Sequence, residues 1–306
     1  MTWHLGELPD QTGRTILVTG TSTGGLGHHT ALELARRGAR VVLAGRSDAK
    51  LAETESAIRA DLGRADLGRL LVDLADLSSV RRAGDQLAEE QLHVLVNNAG
   101  VMATPYRRTG DGLELHLATN HFGPFLLTGL LLSRLVASGD GRVVTVSSQA
   151  HRTARRAPLG DPFVQEGRYH RWQVYGQSKL ANLLFTFELQ RRLDAAGLPV
   201  RAMAAHPGFA GTHLVVNGQL GRSTGPLASI MDAAVRVVSQ SAADGALPTL
   251  MAATADLPGG TYCGPSRMGQ WRGAPTVVDC APLARDRAAQ SRLWELSEET
   301  VGLSYP

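Results

Sequence analysis

Short apolar runs alternate with longer amphipathic segments along most of the chain. Six runs rich in β-branched and other apolar residues predict strands at 15–19, 40–44, 69–72, 93–96, 142–146 and 200–204, and a weaker run at 260–263 predicts a seventh. Helical segments are predicted at 27–37, 48–60, 78–89, in the stretch that ends near 135, and at 175–189, with Ser78 as the expected cap of the third. Continuous apolar strands that alternate with helices are typical of a parallel sheet covered on both faces.

The fold class expected from this pattern is α/β, with a doubly wound parallel sheet of about seven strands and helices on both faces. A single domain over residues 1–306 is expected, because neither repeats nor a low-complexity linker divide the chain. Two stretches, 151–172 and 211–239, interrupt the alternation. Each follows a strand end on the side where doubly wound sheets bind ligands, so we expect both to be ligand-side loops.

Composition excludes several classes of function. The net charge of +3 is too small to indicate nucleic-acid binding, and two cysteines are too few for a disulfide framework or a structural zinc site. The histidines show no metal-ligand spacing, so no metal is expected. Residues 1–10 do not resemble a secretory signal, and the longest apolar run, 122–136, is too short to span a bilayer. We therefore expect a cytoplasmic protein.

Tyr175 and Lys179 are the first candidates for chemistry. At i, i+4 on a helix they share one face, and an ammonium beside a phenol lowers the pKa of the phenol. A tyrosine tuned in this way could donate a proton to a carbonyl oxygen. The pair alone is weak evidence, since such spacings are common on helix surfaces.

A glycine-rich turn, T-G-T-S-T-G-G-L-G at 19–27, joins the first strand to the first helix. Such a turn lets the backbone and the helix N-terminus approach a pyrophosphate. After the second strand, Arg46 stands where an acidic residue would bind the ribose hydroxyls of NAD, and its guanidinium could instead pair with a 2′-phosphate. NADP(H) is therefore favoured over NAD(H).

Several motifs in this order resemble the short-chain dehydrogenase/reductase family, a Rossmann-type fold. They are the glycine turn, Asn97-Asn98-Ala99-Gly100, Asn120, Val146-Ser147-Ser148, Tyr175 with Lys179, and Pro207-Gly208. The resemblance runs from about residue 15 to 212. One departure is that the glycine turn holds one residue more than the family's T-G-x-x-x-G-x-G, which leaves open whether Gly24 or Gly25 meets the phosphates.

The resemblance implies a role for each matched residue. Tyr175 would be the general acid and base, Lys179 would lower its pKa and hold the nicotinamide ribose, Ser148 rather than Ser147 would bind the substrate oxygen, and Asn120 would hold a relay water. His206 is expected to be structural. The residues expected to bind the cofactor are Gly20, Ser22, Thr23, Gly25, Leu26, Arg46, Asp73, Leu74, Asn98, Ala99, Gly100, Tyr175, Lys179, Pro207, Gly208, Phe209 and Thr212.

The long spacing between Ser148 and Tyr175, with Q-S-K-L-A-N-L-L after the tyrosine, resembles the retinol dehydrogenase-like branch. That likeness implies an oxidoreductase acting on a lipophilic aldehyde, ketone or alcohol, and a homodimer or homotetramer formed through the Asn120 and Tyr175 helices. Arginines in 151–172 could steer an anionic substrate, or the loop could simply be solvated. Two alternatives remain: a cofactor-binding sensor or scaffold without turnover, which the altered glycine turn favours, and an epimerase or lyase of the extended fold, which the turn spacing disfavours.

Overall fold

The computed structural model describes residues 2–159, 169–209 and 240–306. Its centre is one eight-stranded sheet with the order β3-β2-β1-β4-β5-β6-β7-β8, parallel except for β8, which is antiparallel to β7. The strands are β1 (Thr15–Thr19), β2 (Arg40–Gly45), β3 (Leu67–Leu71), β4 (Val94–Asn97), β5 (Gly141–Val146), β6 (Val200–Ala205), β7 (Tyr262–Arg267) and β8 (Arg272–Val277).

Helices cover both faces of this sheet. They are α1 (Leu26–Arg36), α2 (Asp48–Leu62), α3 (Leu77–Gln86), the single turn α4 (Leu115–Leu117), α5 (Gly123–Ala137), α6 (Arg171–Ala195), α7 (Ala242–Thr254) and α8 (Arg287–Val301). One apolar core joins the sheet to α3, α5, α6 and α8, and a second joins the opposite face to α1, α2 and α7. The strand order reverses between β1 and β4, which opens a crevice at the carboxyl ends of these strands.

The expected α/β fold with a doubly wound, mostly parallel sheet is confirmed, with eight strands where about seven were predicted. The additional strand, β8, carries Gly273 and Pro275, which weaken a strand signal but are tolerated at a sheet edge. Ser78 is not the cap of α3: the helix begins one residue earlier, and the Asp76 carboxylate accepts the Ser78 and Ser79 N–H groups. The Tyr175 helix begins one turn earlier than predicted, at Arg171.

An aromatic cluster forms where α8 packs on α5 and α6. The Trp294 ring lies 4.9 Å from Phe125 and stacks on Phe185 at 5.9 Å, and Tyr305 closes the cluster at 4.8 Å from Trp294. The Tyr305 hydroxyl donates to the Phe125 carbonyl at 3.0 Å. This face of α5 and α6 is therefore covered by the chain itself.

Among the described residues, the helices are too short or too polar to cross a bilayer.

Candidate functional site

The glycine turn lies against the end of β4. Gly20 has φ +72°, and a Cβ there would lie 2.7 Å from the Ala99 Cα, so only glycine fits this close approach. Thr19 holds the neighbouring segment, because its hydroxyl accepts the N–H groups of Asn98 and Ala99 at 3.0 Å each. Asn98 returns the contact by donating its side-chain amide to the Thr19 carbonyl at 2.7 Å. The two switch-point strands are thus joined at the crevice.

The extra residue of the glycine turn lies in the loop that precedes α1. Gly24 takes a left-handed conformation with φ +74°, and Gly25 is the N-cap residue of α1, which begins at Leu26, one residue before the predicted start. No side chain caps this helix end, so its N–H groups remain available to an anion. Ser22 closes the turn by accepting the Gly25 N–H at 3.0 Å.

Thr54 of α2 fixes the turn from outside. Its hydroxyl donates to the Thr21 carbonyl at 2.7 Å and lies 3.1 Å from the Thr23 hydroxyl. Sequence reasoning missed Thr54, since nothing in the helical pattern of α2 distinguishes it from other buried positions.

Arg46 and Asp73 stand at the carboxyl ends of β2 and β3. Arg46 is exposed, and among the described residues it has no hydrogen-bond or ion-pair partner, so its guanidinium is available to an incoming anion. One Asp73 carboxylate oxygen accepts the Ala75 N–H at 3.0 Å, and the adjacent Leu74 is buried against Gly123 at the start of α5. Both positions face the side of the sheet where the turn lies.

Asn120 lies in a single π-helical turn, Ala118–Phe122, that connects α4 to α5. Its amide spans two elements: it exchanges hydrogen bonds with the Val101 backbone at 2.8 and 3.0 Å and donates to the Ser178 hydroxyl of α6 at 2.9 Å. Helical turns of this kind are frequent at functional sites because the widened turn redirects one side chain. Gly100 separates Asn120 from Lys179, since a Cβ there would lie 3.0 Å from the Asn120 Oδ1 and 3.4 Å from the Lys179 Nζ.

The two serines after β5 have different partners. The Ser147 hydroxyl is buried and donates to the Lys179 carbonyl at 2.8 Å, which anchors α6 to the sheet. The Ser148 hydroxyl accepts the Ala150 N–H at 3.2 Å and interacts with the Tyr175 hydroxyl. Ser148, rather than Ser147, is therefore beside the candidate proton donor.

Tyr175 and Lys179 are both buried on the face of α6 that meets β5. The Lys179 Nζ donates to the Val146 carbonyl at 3.0 Å and lies 5.9 Å from the centre of the Tyr175 ring. Burial lowers the pKa of Lys179 to about 8. Asn182, one turn further along α6, donates to the same Val146 carbonyl at 3.0 Å. It was missed, although its i+3 spacing from Lys179 places it on the same helix face.

The prediction that Lys179 lowers the pKa of Tyr175 is wrong for the chain by itself. Burial raises the pKa of Tyr175, and the hydrogen bond with Ser148 offsets only part of that rise. A phenol in an apolar site keeps its proton because the phenolate loses its hydration. Tyr175 is therefore a protonated acid at neutral pH.

The turn after β6 is held by the β7–β8 hairpin. His206 is buried and accepts the Gly208 N–H at 3.1 Å, and burial lowers its pKa to about 3, so it stays neutral and has a structural role. The Phe209 N–H donates to the Trp271 carbonyl at 2.8 Å, and the two rings stack at 5.6 Å. The Pro207 carbonyl accepts the amide of Gln240. Thr212 lies outside the described residues, as do 211–239 and part of the 151–172 stretch.

A polar triad beside Tyr175, with a buried glutamate and histidine, was also missed. Glu114, at the start of α4, binds both His116 and Tyr169, and the His116 ring lies 6.2 Å from the Tyr175 ring. A buried glutamate two positions before a histidine is an unusual pattern, but the partner Tyr169 is distant in sequence and could not have been assigned.

Comparisons with known proteins agree with this geometry. The sequence model of the short chain dehydrogenase family matches residues 14–159. Human retinol dehydrogenase 12 is 40% identical over 299 residues, which cover 96% of this chain and 88% of that protein. Human retinol dehydrogenase 13 is 37% identical over 302 residues, with 96% and 86% covered.

Two solved structures extend the comparison. An uncharacterized protein from Mycobacterium paratuberculosis is similar over 100% of both chains, with a TM-score of 0.81 and 42% identity. A short chain dehydrogenase from Shigella flexneri, solved in complex with NADP, has a TM-score of 0.63 and 23% identity over 84% of this chain and 98% of that one. The second likeness concerns the fold alone.

Proposed function

Because the chain belongs to the short-chain dehydrogenase/reductase family, in its retinol dehydrogenase-like branch, we propose that it is an NADP(H)-dependent oxidoreductase. It would interconvert the carbonyl and alcohol forms of a neutral lipophilic molecule. The observation that carries the proposal is the convergence of Tyr175, Ser148 and Lys179 at the carboxyl ends of the central strands.

The residues of the crevice fit a nicotinamide dinucleotide. The close approach of Gly20 to Ala99 leaves a backbone surface without side chains, and the uncapped N-terminus of α1 offers N–H donors to the phosphates. Asp73, Leu74, Asn98 and Gly100 would line the nucleoside path, and Pro207, Gly208 and Phe209 would border the nicotinamide. The cofactor supplies or accepts the hydride.

The chain's own residues would handle the proton. Tyr175, which is protonated at neutral pH, would donate its phenolic proton to the carbonyl oxygen during reduction. Ser148 accepts one backbone N–H and retains its hydroxyl proton, so it could donate a hydrogen bond to the same oxygen as charge develops there. With Tyr175 and Ser148 both donating to it, the carbonyl oxygen of the substrate would be held in one position.

Lys179 and Asn120 would connect Tyr175 to solvent. The Lys179 ammonium uses one N–H on Val146 and retains two more, one for a cofactor hydroxyl and one for a water. The Asn120 Oδ1 accepts one backbone N–H and retains a second lone pair for that water. This arrangement supports the relay role expected for Asn120.

Preference for NADP(H) is supported by Arg46, whose exposed guanidinium has no partner within the part of the chain that the structure describes. Arginine pairs with phosphate through two parallel N–H donors, whereas a ribose 2′-hydroxyl offers no charge. A cytoplasmic location and a homo-oligomer formed through the Asn120 and Tyr175 helices remain predictions.

Tyr175→Phe tests the proposed chemistry. Carbonyl reduction, followed as loss of NADPH absorbance on a panel of aldehydes and ketones, should fall by about a hundredfold or more, while the fluorescence-measured affinity for NADPH stays within about twofold. Tyr106→Phe is the matched control, because it removes a hydroxyl held at the surface by Arg108. Full activity of Tyr175→Phe would refute the assignment, and NADPH binding by the wild type without turnover on any carbonyl would favour the sensor alternative.

Arg46→Asp tests the choice of cofactor. The charge reversal should weaken NADPH binding by about a hundredfold, since it replaces an attraction with a repulsion at the 2′-phosphate, and should leave NADH binding nearly unchanged. Arg64→Asp is the matched control at the far end of α2, about 22 Å away along the helix. Equal effects of the two substitutions would mean that the 2′-phosphate is recognised elsewhere.

A further inference from the structure

Glu114, His116 and the half-buried Tyr169 form a hydrogen-bonded triad near Tyr175. Glu114 and His116 have fully buried side chains, with 2.8 Å between the Glu114 Oε1 and the His116 Nδ1. The Tyr169 hydroxyl donates to the same carboxylate oxygen at 2.8 Å. The other carboxylate oxygen accepts the Leu117 N–H at 3.0 Å. Three donors, from α4 and from the segment before α6, therefore meet at one carboxylate.

The protonation pattern of the triad follows from its donors. The Thr104 N–H points to the His116 Nε2 at 3.1 Å, so this nitrogen accepts and the proton must be on Nδ1, from which it is donated to Glu114. Burial opposes ionisation of Glu114, but the hydrogen bonds from His116 and Leu117 hold the pKa of this carboxyl below its usual value. The triad thus joins one imidazole and one phenol to a shared carboxylate.

The backbone around the triad is held under strain. Ala103, next to Thr104, has φ +48°, a left-handed conformation that is unfavourable for alanine. Such a conformation persists only when its surroundings fix it, and the Thr104–His116 hydrogen bond does so. The triad therefore fixes the 103–105 segment as well as Tyr169.

Tyr169 lies two residues before α6, and its hydrogen bond to Glu114 ties the start of this helix to the start of α4. Trp172 in that turn meets Tyr175 edge to face at 6.3 Å. Pro105 and residues 169–172 line a cavity of about 350 Å³, a size suited to part of a small-molecule ligand. Trp172 therefore both lines this cavity and contacts the candidate proton donor, and 44% of Trp172 is exposed.

We propose that the cavity between Pro105 and Trp172 is the subsite for the apolar part of the substrate, and that Tyr169, anchored by Glu114, is a positioning residue that holds its wall. This inference rests on the proposed oxidoreductase function, because the cavity would hold the apolar group attached to the carbonyl that Tyr175 protonates. Three of the five lining residues, Pro105, Tyr169 and Trp172, offer rings that suit a neutral alkyl or polyene chain, and His170 and Arg171 line the rest.

Trp172→Ala tests the subsite with propanal, which is too short to fill the cavity, and decanal, which can. The variant should lose about tenfold or more in kcat/KM for decanal and less than about threefold for propanal. The larger loss for decanal should appear as a higher KM rather than a lower kcat. Leu71→Ala is the control: it also removes an exposed large apolar side chain, but on edge strand β3. Equal losses on both aldehydes, or no loss, would overturn the proposal.

Tyr169→Phe tests the anchor. It keeps the ring and removes the hydroxyl that Glu114 holds, so it should reproduce the selective rise in KM for decanal, while Tyr106→Phe, which loses a hydroxyl outside the triad, should not. Parallel thermal unfolding of the two variants separates the selective effect from a general loss of stability. Unchanged decanal kinetics in a folded Tyr169→Phe protein would refute the positioning role.

Calorimetric binding of decanamide, which is not reducible, separates failure of the subsite from failure of the chemistry. Wild-type binding that is about tenfold weaker in Trp172→Ala supports the subsite even if neither aldehyde is turned over. Absence of wild-type binding, or equal affinity in the two proteins, overturns it independently of the proposed activity.

Discussion

Lys179→Met should make the protein more stable at neutral pH while abolishing turnover. In the wild type, burial lowers the pKa of Lys179 from 10.5 to about 8. A pKa shift of one unit corresponds to about 1.4 kcal/mol, so burying the Lys179 ammonium in the folded chain costs about 3 kcal/mol at pH 7. Methionine has a similar length and no charge to bury.

The substitution also removes one hydrogen bond, which limits the gain. The Lys179 Nζ donates to the Val146 carbonyl at 3.0 Å, but Asn182 donates to that carbonyl at the same distance, so no buried acceptor is left without a partner. The loss is then about 1 kcal/mol. The expected net gain in the free energy of unfolding at pH 7 is about 2 kcal/mol.

The stability difference between the two proteins should depend on pH. Because the pKa of Lys179 is lower in the folded than in the unfolded chain, the folded state binds fewer protons between about pH 8 and 10.5. The penalty is complete below pH 8 and disappears as the pH rises through this interval. The stability difference between the two proteins should therefore shrink across it and favour the wild type above it.

Urea unfolding of both cofactor-free proteins from pH 7 to 11 measures this difference. Groups other than position 179 titrate in both proteins and cancel in the comparison. A Lys179→Met protein that is less stable than the wild type at pH 7, or a difference that does not change with pH, would show that the amine is not buried as a charge. Carbonyl reduction by the variant should fall by about a hundredfold or more.

Three further substitutions test other parts of the site and fold. Gly20→Ala should lower the free energy of unfolding by about 2–4 kcal/mol in urea titrations, since the backbone has φ +72° and the new Cβ would lie 2.7 Å from the Ala99 Cα; an unchanged midpoint would mean that the turn can yield. Ser148→Ala should reduce kcat by about tenfold or more, whereas Ser147→Ala should cost about 1 kcal/mol of stability; similar losses of kcat in both would contradict the assignment. Trp294→Ala should destabilise the chain by about 3–5 kcal/mol, measured by calorimetry, and a loss below 1 kcal/mol would mean that the aromatic cluster collapses around the gap.

Local signals predicted most of the sheet. The strands β1 to β6 are short, mainly apolar runs between turns, and their bounds differ from the prediction by two residues or fewer. Neither β8 nor α8 was predicted. Gly273 and Pro275 interrupt the strand pattern of β8, and the apolar face of α8 can be recognised only from its packing against α5 and α6. Such tertiary contacts override local propensity.

The candidate site was likewise predicted only in part. Ser148, Tyr175 and Lys179 were identified by motif, and the structure brings them together. The pKa of Tyr175 could not be predicted, since it depends on how deeply α6 is buried rather than on the i, i+4 spacing. The Glu114–Tyr169 contact joins positions far apart in the chain, and no local pattern indicates which tyrosine satisfies a buried carboxylate.

The packing of α8 on α5 and α6 has a consequence for biosynthesis. Trp294 meets Phe125 across a wide gap in sequence, so the rings of Phe125 and Phe185 cannot be covered until α8 has left the ribosome. Until then the nascent chain carries an exposed aromatic strip beside an already paired sheet, the kind of surface that chaperones bind and that aggregates when they are scarce. Yield in the cell should therefore depend on how quickly synthesis proceeds from α6 to α8.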